Sequence, residues 1–449
     1  MKGLKPYLKY KDSGVKWLGE IPDHWEVKKL KHISSVQFSS VDKHTVDEEN
    51  SVRLCNYTDV YNSDEITEAM DFMEASATRS EIERFRLKKG DVLITKDSES
   101  WEDIAVPAIV KSDMQDVLCG YHLAQIRAFQ GISFGDYLFR EFSSRGINDQ
   151  YMVESTGVTR FGLGKYSLDN GLFAVPSIDE QKAITRFLDR ETARIDSLID
   201  KKQRLIELLK ERRTELITQA VTKGLDPKVP MKDSGVEWLG EIPSHWQVMN
   251  LKRSAKIKTG TTPPSENYEY YDDGTVPWFT PGDFTDNLNL TLPSKLITEK
   301  ALLDNKARIF PQFSIFLVSI GASAGRIGLI SQTSSCNQQI NSISFHKHIY
   351  PKYGAYFLKS LEHVIYALAP FSTLPIMDQD RTGNLFVLIP TIEEQHKISR
   401  FLDQETARID SIIAKTTESI EKLKEYRSAL ISAAVTGKVD VRRGDFIGI

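Results

Sequence analysis

The chain is poor in cysteine. Its three, Cys55, Cys119 and Cys336, stand far apart and form no CxxC pair, so neither a disulfide framework nor a zinc knuckle is expected. They read as buried free thiols. Long apolar runs are also missing. None approaches the roughly 18 residues of a membrane span, and the opening MKGLKPYLKYKD has no apolar centre of a signal peptide, so a cytoplasmic location is expected. Nor is there an excess of positive charge. A formal net charge of −4 and a pI near 6.2 argue against gripping nucleic acid by a bulk positive field. Any such binding must come from local patches or from partners.

Catalytic signatures are equally sparse. There is no GxxxxGK[ST], no HExxH and no GxSxG. GASAGRIG, from Gly321, lacks the lysine spacing of a phosphate loop and reads as a tight turn between strands. TTPPSENYEYYDD, from Thr261, contains Pro-Pro. An adenine methyltransferase site would need Asn or Asp before those prolines and Tyr or Phe after, where this chain has Thr262 and Ser265. The acidic stretch KDSESWEDI, Lys96 to Ile104, reads as a solvated loop after a strand in preference to a metal site, because nothing makes its carboxylates converge.

What is present is repetition, which takes precedence over local motifs because it sets the architecture. At 449 residues, with 40% hydrophobic and 27% charged content, the chain exceeds a single core and two or more domains are expected. YKDSGVKWLGEIPDHWEVKKLK, from Tyr10, returns as MKDSGVEWLGEIPSHWQVMNLK from Met231, pairing Trp17 with Trp238, His24 with His245 and Trp25 with Trp246. PSIDEQKAITRFLDRETARIDSLI, from Pro176, returns as PTIEEQHKISRFLDQETARIDSII from Pro390. The regions between the blocks show no convincing alignment beyond fragments such as STGV at Ser155 and STLP at Ser372. Segments such as DVLIT, AVPAIV, SIFLVSIG and RIGLIS read as buried strands. GDYLFREFSSRG and YGAYFLKSLEHVIYAL read as helices, which makes these regions mixed α/β.

The second block is helical by pattern. Asp179 and Glu180 lie in a first turn, where carboxylates meet the positive end of the helix dipole. Leu188, Ile195, Leu198, Leu205, Leu209 and Leu216 then trace a coiled-coil seam interrupted by Lys202 and Arg212. In the second copy the matching seam is Leu402, Ile409, Ile412, Leu423, Tyr426 and Leu430, with Thr416 and Ser419 weakening its middle. Pairing of the two helices is expected over separate packing. Each would run for about 40 residues, or about 60 Å, a ruler between two globular bodies. Trp17, His24, Trp25, Trp238, His245 and Trp246 read as scaffold, the histidines packed or capping because no carboxylate or cysteine partner appears in the pattern. Functional candidates therefore lie in the unlike regions. They are the polar, cationic and loop residues Lys96, Ser98, Trp101, Arg160 and Lys165 in the first, and Arg326, Asn337, Gln338, Gln339 and Asn341 in the second; among them Arg, Asn and Gln have paired donors and acceptors that match guanine and adenine edges.

The order of short block, variable region and long helix, repeated once with DSGVKWLGEIPDHW and EQKAITRFLDRETARIDSLI as the blocks, resembles the specificity subunit of type I restriction-modification enzymes over essentially the whole chain. The resemblance implies a mixed α+β fold, with two target recognition domains separated by two long antiparallel coiled-coil helices in a pseudo-twofold repeat. It implies an N-terminal block at 1–33, a first recognition domain at 34–175 and a central helix at 176–224. A linker and repeated block at 225–254, a second recognition domain at 255–389 and a C-terminal helix and tail at 390–449 follow. It further implies a non-catalytic chain that reads an asymmetric, bipartite sequence in double-stranded DNA, one half-site per domain. Methylation subunits, expected to be two, would dock on it and carry restriction subunits. No cofactor is expected on this chain, and S-adenosylmethionine, ATP and Mg are expected on the partners. Two other classes stay open from residues alone: a stand-alone metal-dependent nuclease using KDSESWEDI, and a coiled-coil protein-binding adaptor.

Overall fold

The computed structural model describes residues 5–368 and 376–442. The STLP fragment at Ser372 lies outside them. The chain divides into two compact units, unit 1 comprising Met1–Gln203 with Glu418–Ile449 and unit 2 comprising Arg204–Thr417.

Unit 1 contains a five-stranded sheet of β1 (Ser34–Phe38), β2 (Glu65–Ile66), β3 (Val92–Thr95), β4 (Pro107–Val110) and β5 (Leu123–Ala128). The order is β1-β5-β3-β4-β2. Neighbours run antiparallel except β4 with β2. The apolar runs VLIT and PAIV form the middle strands because both faces are covered, and Val92, Leu93 and Ile94 are fully buried. A smaller sheet of Val117–Cys119, Asn50–Cys55 and Met73–Ala77 packs into the same apolar core.

Unit 2 repeats this plan with β6 (Ala255–Thr259), β7 (Asn289–Leu290), β8 (Ile315–Val318), β9 (Ile327–Ile330) and β10 (Ile340–Phe345) in the order β6-β10-β8-β9-β7. Only β9 with β7 is parallel. In the smaller sheet Val276–Phe279 pairs parallel with Ser334–Cys336, as Asn50–Cys55 does with Val117–Cys119. Two regions with no convincing alignment therefore share one topology. A buried strand asks only for apolar, often β-branched residues of suitable volume, and many unrelated sequences meet that demand. GASAGRIG is the β8–β9 turn, with Gly321 at φ +106 and Gly325 at φ +94, conformations that glycine adopts without steric cost. The helical readings each break in two, at Gly135–Phe142 and Arg145–Glu154 and again at Pro351–Ser360 and Glu362–Leu368.

Two long helices, α1 (Ile178–Lys223, 46 residues) and α2 (Ile392–Val435, 44 residues), arise from the second repeated block. Each start is held by a fully buried glutamine. Gln181 Nε2 donates to the carbonyls of Pro176 and Ile132, both at 3.0 Å, and Gln395 Nε2 to those of Pro390 and His348, also at 3.0 Å. Each helix is followed by a glycine in the left-handed conformation, Gly224 at φ +77 and Gly437 at φ +71. These glycines lie against the repeated tryptophans, Gly224 beside Trp246 and Gly437 beside Trp25.

Within unit 1, Arg427 Nε of α2 lies 3.0 Å from Asp196 Oδ1 of α1. Within unit 2, Arg213 Nε of α1 lies 3.6 Å from Asp410 Oδ1 of α2. Arg213 and Arg427 occupy equivalent places in the repeat, as do Asp196 and Asp410, so each pairing is the other with the copies exchanged. Forward movement along one helix matches backward movement along its partner, which makes the pairing antiparallel.

The seam is offset from the leucine pattern. Leu188, Ile195, Leu402, Ile409 and Leu430 are buried and Leu209, Leu216 and Leu423 are partly buried, as expected of seam positions. Leu198 and Leu205 instead face outward at 39% and 42% exposure, and Ile199 and Ile206 turn inward in their place. Ile412 and Tyr426 are likewise exposed, with Ile413 and Arg427 taking the inward positions. Leucine spacing does not mark the inward face here. A strict alternation of three and four passes through Thr192, Lys202 and Arg213 and skips several leucines, because helix geometry sets the inward face whatever the residue's apolarity. Thr416 sits in the seam, buried, with its hydroxyl returned to the Ile412 carbonyl at 2.7 Å.

The first repeated block departs from expectation at its histidines. Trp25 and Trp246 are fully buried, whereas Trp17 is 39% exposed and Trp238 is half-buried. Both histidines have a carboxylate partner after all, in the first turn of the long helix. His24 Nε2 lies 2.8 Å from Glu180 Oε2, and His245 Nε2 lies 2.8 Å from Glu394 Oε1. A partner about 150 residues away leaves no local signature. All three cysteines are free and buried, and among the described residues no helix is long and apolar enough to cross a membrane.

Candidate nucleic-acid interface

The chain leaves β3 at Lys96 and returns to β5 at His122, so both ends of that excursion lie side by side, with Lys96 N donating to His122 O at 3.1 Å. A third segment joins them: Asp97–Ser98 pairs with Phe161–Gly162, and Leu163 N donates to Lys96 O at 2.7 Å. This ledge gathers Lys96, Ser98 and Arg160 from the predicted set. Its centre is Asp97, whose Oδ1 receives Arg160 Nη2 at 2.7 Å and lies 2.7 Å from His122 Nδ1. Lys96 Nζ lies 3.3 Å from Asp97 Oδ2 and 4.4 Å from the centroid of the Tyr121 ring. Ser98 is buried, with its hydroxyl 3.1 Å from that of Tyr57, so it supports the ledge from behind. Burial pushes the Tyr57 phenol up, and the hydrogen bond from Tyr61 to Asp103 does the same for Tyr61, so both stay neutral. Their rings stack at 5.5 Å.

The same construction recurs in unit 2. Ser319 N donates to Gln339 O, and Met377 N to Ser319 O, both at 2.7 Å, while Ile320 bridges Ile376 as Asp97 pairs with Gly162. Gly120 N donates to Cys55 O and Asn337 N to Phe279 O in the same way. Lys96, Asp97, Tyr121 and His122 therefore correspond to Ser319, Ile320, Gln338 and Gln339. Gln338 is exposed, its amide oxygen accepting from the Thr262 hydroxyl. Gln339 is half-buried, and its amide oxygen accepts from Asn337 Nδ2 at 3.0 Å. One ledge carries charges and a phenol where the other carries amides and a hydroxyl.

Other predicted residues fall elsewhere. Asn341 is 1% exposed, with its amide engaged by Thr259 at 2.7 Å, Met377 at 2.9 Å and Thr382 at 3.0 Å. It is a satisfied core amide and cannot meet a base. Asn337 is buried and shapes its turn, accepting from Gln339 N at 3.1 Å. Arg326 is exposed on the β8–β9 turn, with Nη1 on Phe284 O at 3.0 Å. Lys165 opens a short helix and pairs with Asp169 at 2.7 Å. Trp101 is 48% exposed and lines a concavity of about 520 Å³ together with Glu102, Arg145, Asp149 and Arg427. Among the described residues no group of three or more His, Cys, Asp or Glu is placed to hold a metal.

His122 and Tyr121 escaped sequence reading. The available signal was CGYH at Cys119 beside CNQQ at Cys336, each just ahead of a β-rich run. A buried cysteine two residues before the ledge pair marks the same place in both units.

The fold is thus a pair of related α+β units, each carrying a segment of both long helices. A family profile described as "Type I restriction modification DNA specificity domain" matches residues 243–422. The putative type I restriction enzyme MjaX specificity subunit of Methanocaldococcus jannaschii is 23% identical over 442 residues, 96% of this chain and 98% of that protein. The EcoR124I/EcoR124II specificity subunit of Escherichia coli is 25% identical over 45% of this chain and 48% of that protein. Among solved structures, the HsdS subunit from Thermoanaerobacter tengcongensis aligns over 93% of this chain and 98% of its own, with a TM-score of 0.54 and 17% identity. A chain from a study of complex assembly and conformational transition of the type I R-M system aligns over 93% and 99%, with a TM-score of 0.66 and 18% identity. Over nearly its whole length the chain is therefore similar to specificity subunits of type I restriction enzymes, and its second half matches the DNA specificity domain profile.

Proposed function

We propose that each unit reads one half of an asymmetric, split target in double-stranded DNA, that the paired long helices set the gap between the halves, and that chemistry is left to partner subunits. The observation that carries this reading is the repetition of one sheet and one ledge with unlike side chains, as expected of two readers on a common scaffold. Two methylation subunits, using S-adenosylmethionine, would dock on the helices and short blocks, with restriction subunits, ATP and Mg joining through them. The nuclease alternative is weakened by Asp97, which is engaged by Lys96, His122 and Arg160.

The test is to co-express the chain with a type I methylation subunit from the same genome and map methylated adenines across a plasmid library. A single split motif with a fixed gap is expected. Methylation without a motif, from an intact complex supplied with S-adenosylmethionine, would favour the adaptor reading. Adding one heptad after Gln203 and one after Ile420 keeps the ion-paired register and lengthens the pair by about 10 Å, so the gap should widen by roughly three base pairs. An unchanged gap would sink the ruler.

A further inference from the structure

On the half-site reading proposed above, unit 1 recognises one half of the target. In unit 1 the guanidinium of Arg160 is aimed. Its Nη2 and Nε reach Asp97 Oδ1 at 2.7 and 3.2 Å. His122 Nδ1 lies 2.7 Å from that oxygen, and because a carboxylate only accepts, Nδ1 carries the proton. It is therefore unable to accept from Arg160, and the 3.0 Å approach of Arg160 Nη2 is a packing contact with the ring. The outer edge of the fork, Nη1 with the second proton of Nη2, is thus left open in a set direction, on a side chain 54% exposed. Asp97 is fixed in turn, 16% exposed, paired along its backbone with Gly162 and approached by Lys96.

Two parallel N–H donors held in one direction match O6 and N7 of guanine, the one base edge in the major groove that presents two acceptors side by side. A phosphate can also take such a fork through two oxygens, but that contact would carry no base preference, and the two partners are separated by the test below. Unit 2 provides the contrast. Ile320 stands where Asp97 does and Gln339 where His122 does, so its ledge has amides, which both donate and accept, in place of a buttressed cation. We propose that Arg160 selects guanine in the half-site read by unit 1, with Asp97 and His122 as its positioning residues.

The test uses the full chain assembled with a methylation subunit and measures binding to a DNA library randomised in both half-sites, at two salt concentrations. Arg160→Ala should erase a guanine preference at one position of one half-site, a loss of roughly 5- to 150-fold in discrimination, with the other half-site and the gap unchanged. Arg160→Lys keeps charge and stem without the planar fork and should lose most of the same preference. If Arg160→Ala fails to assemble, the lysine variant decides. Asp97→Asn should weaken discrimination at that same position, a readout a merely structural role would not move. An unaltered motif overturns the proposal. So does uniform weakening across all sequences with a shallower salt dependence, which would assign Arg160 to phosphate. If the wild-type complex yields no split motif, the half-site reading fails first and takes this assignment with it.

Discussion

Unit 1 grips its long helix with an arginine where unit 2 uses a tyrosine. Arg140 Nη2 donates to Asp189 Oδ1 at 2.7 Å and lies 3.4 Å from the Thr192 hydroxyl. Tyr356 donates to Asp403 Oδ1 at 2.9 Å and lies 3.5 Å from the Thr406 hydroxyl. The acceptors belong to the repeated helix and are the same, while the donors come from the variable regions and differ. One turn earlier the likeness holds: Tyr137 lies 3.3 Å from the Val435 carbonyl, and Tyr353 lies 3.3 Å from that of Val221. One residue later it fails, because unit 1 buries Glu141 where unit 2 buries Phe357. A scaffold of this kind prescribes the polar groups on the helix face and accepts whatever side chain satisfies them, which leaves the rest of each unit free to diverge.

The largest effect that could break this equivalence comes from the tryptophans. Trp25→Ala and Trp246→Ala should each destabilise the unit that holds them by about 3–5 kcal/mol, measured by denaturant unfolding with hydrogen exchange to assign the unit. A cost confined to one of the two would show that the repeated block does different work in the two places.

The seam comes next. Ile199→Ala should cost about 2–4 kcal/mol, and Leu198→Ala beside it no more than about 0.5 kcal/mol. The reverse ranking in thermal melts would restore the leucine seam that the pattern alone suggests.

The smallest effect separates Glu141 from Phe357. Burial pushes the Glu141 acid well above the usual carboxylate range, with the backbone amide of Ala174 pulling the other way. A group whose folded pKa is raised holds its proton more tightly when folded, so stability falls as pH rises above the ordinary carboxylate value and on through the raised one. Glu141→Met should therefore stabilise unit 1 by about 1–3 kcal/mol at pH 8 and by less at pH 5, read from the pH dependence of Tm. A pH-independent gain would mean that packing, not charge, is relieved.

Much of the architecture was legible from residues. The repeated blocks announced two copies, and VLIT and IFLV announced buried strands. The common topology of the unlike regions was not legible, because strand burial constrains volume and apolarity and leaves identity open. The partners of His24 and His245 were hidden for a related reason: each pair joins residues about 150 positions apart. On the ledge, Lys96 and Arg160 had been singled out by residue type alone. His122 and Tyr121 were not singled out, and Asp97 only within the nuclease alternative, because only the return of β5 beside β3 brings the three together. Asn341, chosen for its amide, proved to be a core residue.

By itself, then, the sequence determined that this protein is built twice over, with two long helices and two unlike regions, since repeats and hydrophobic period are local properties of the chain. Only the tertiary structure decided that the unlike regions fold alike, that Ile199 rather than Leu198 faces the partner helix, and that Arg160 is aimed by Asp97 and His122. Those outcomes depend on which distant segments share a sheet edge or a helix face, and spacing along a chain does not encode that distance.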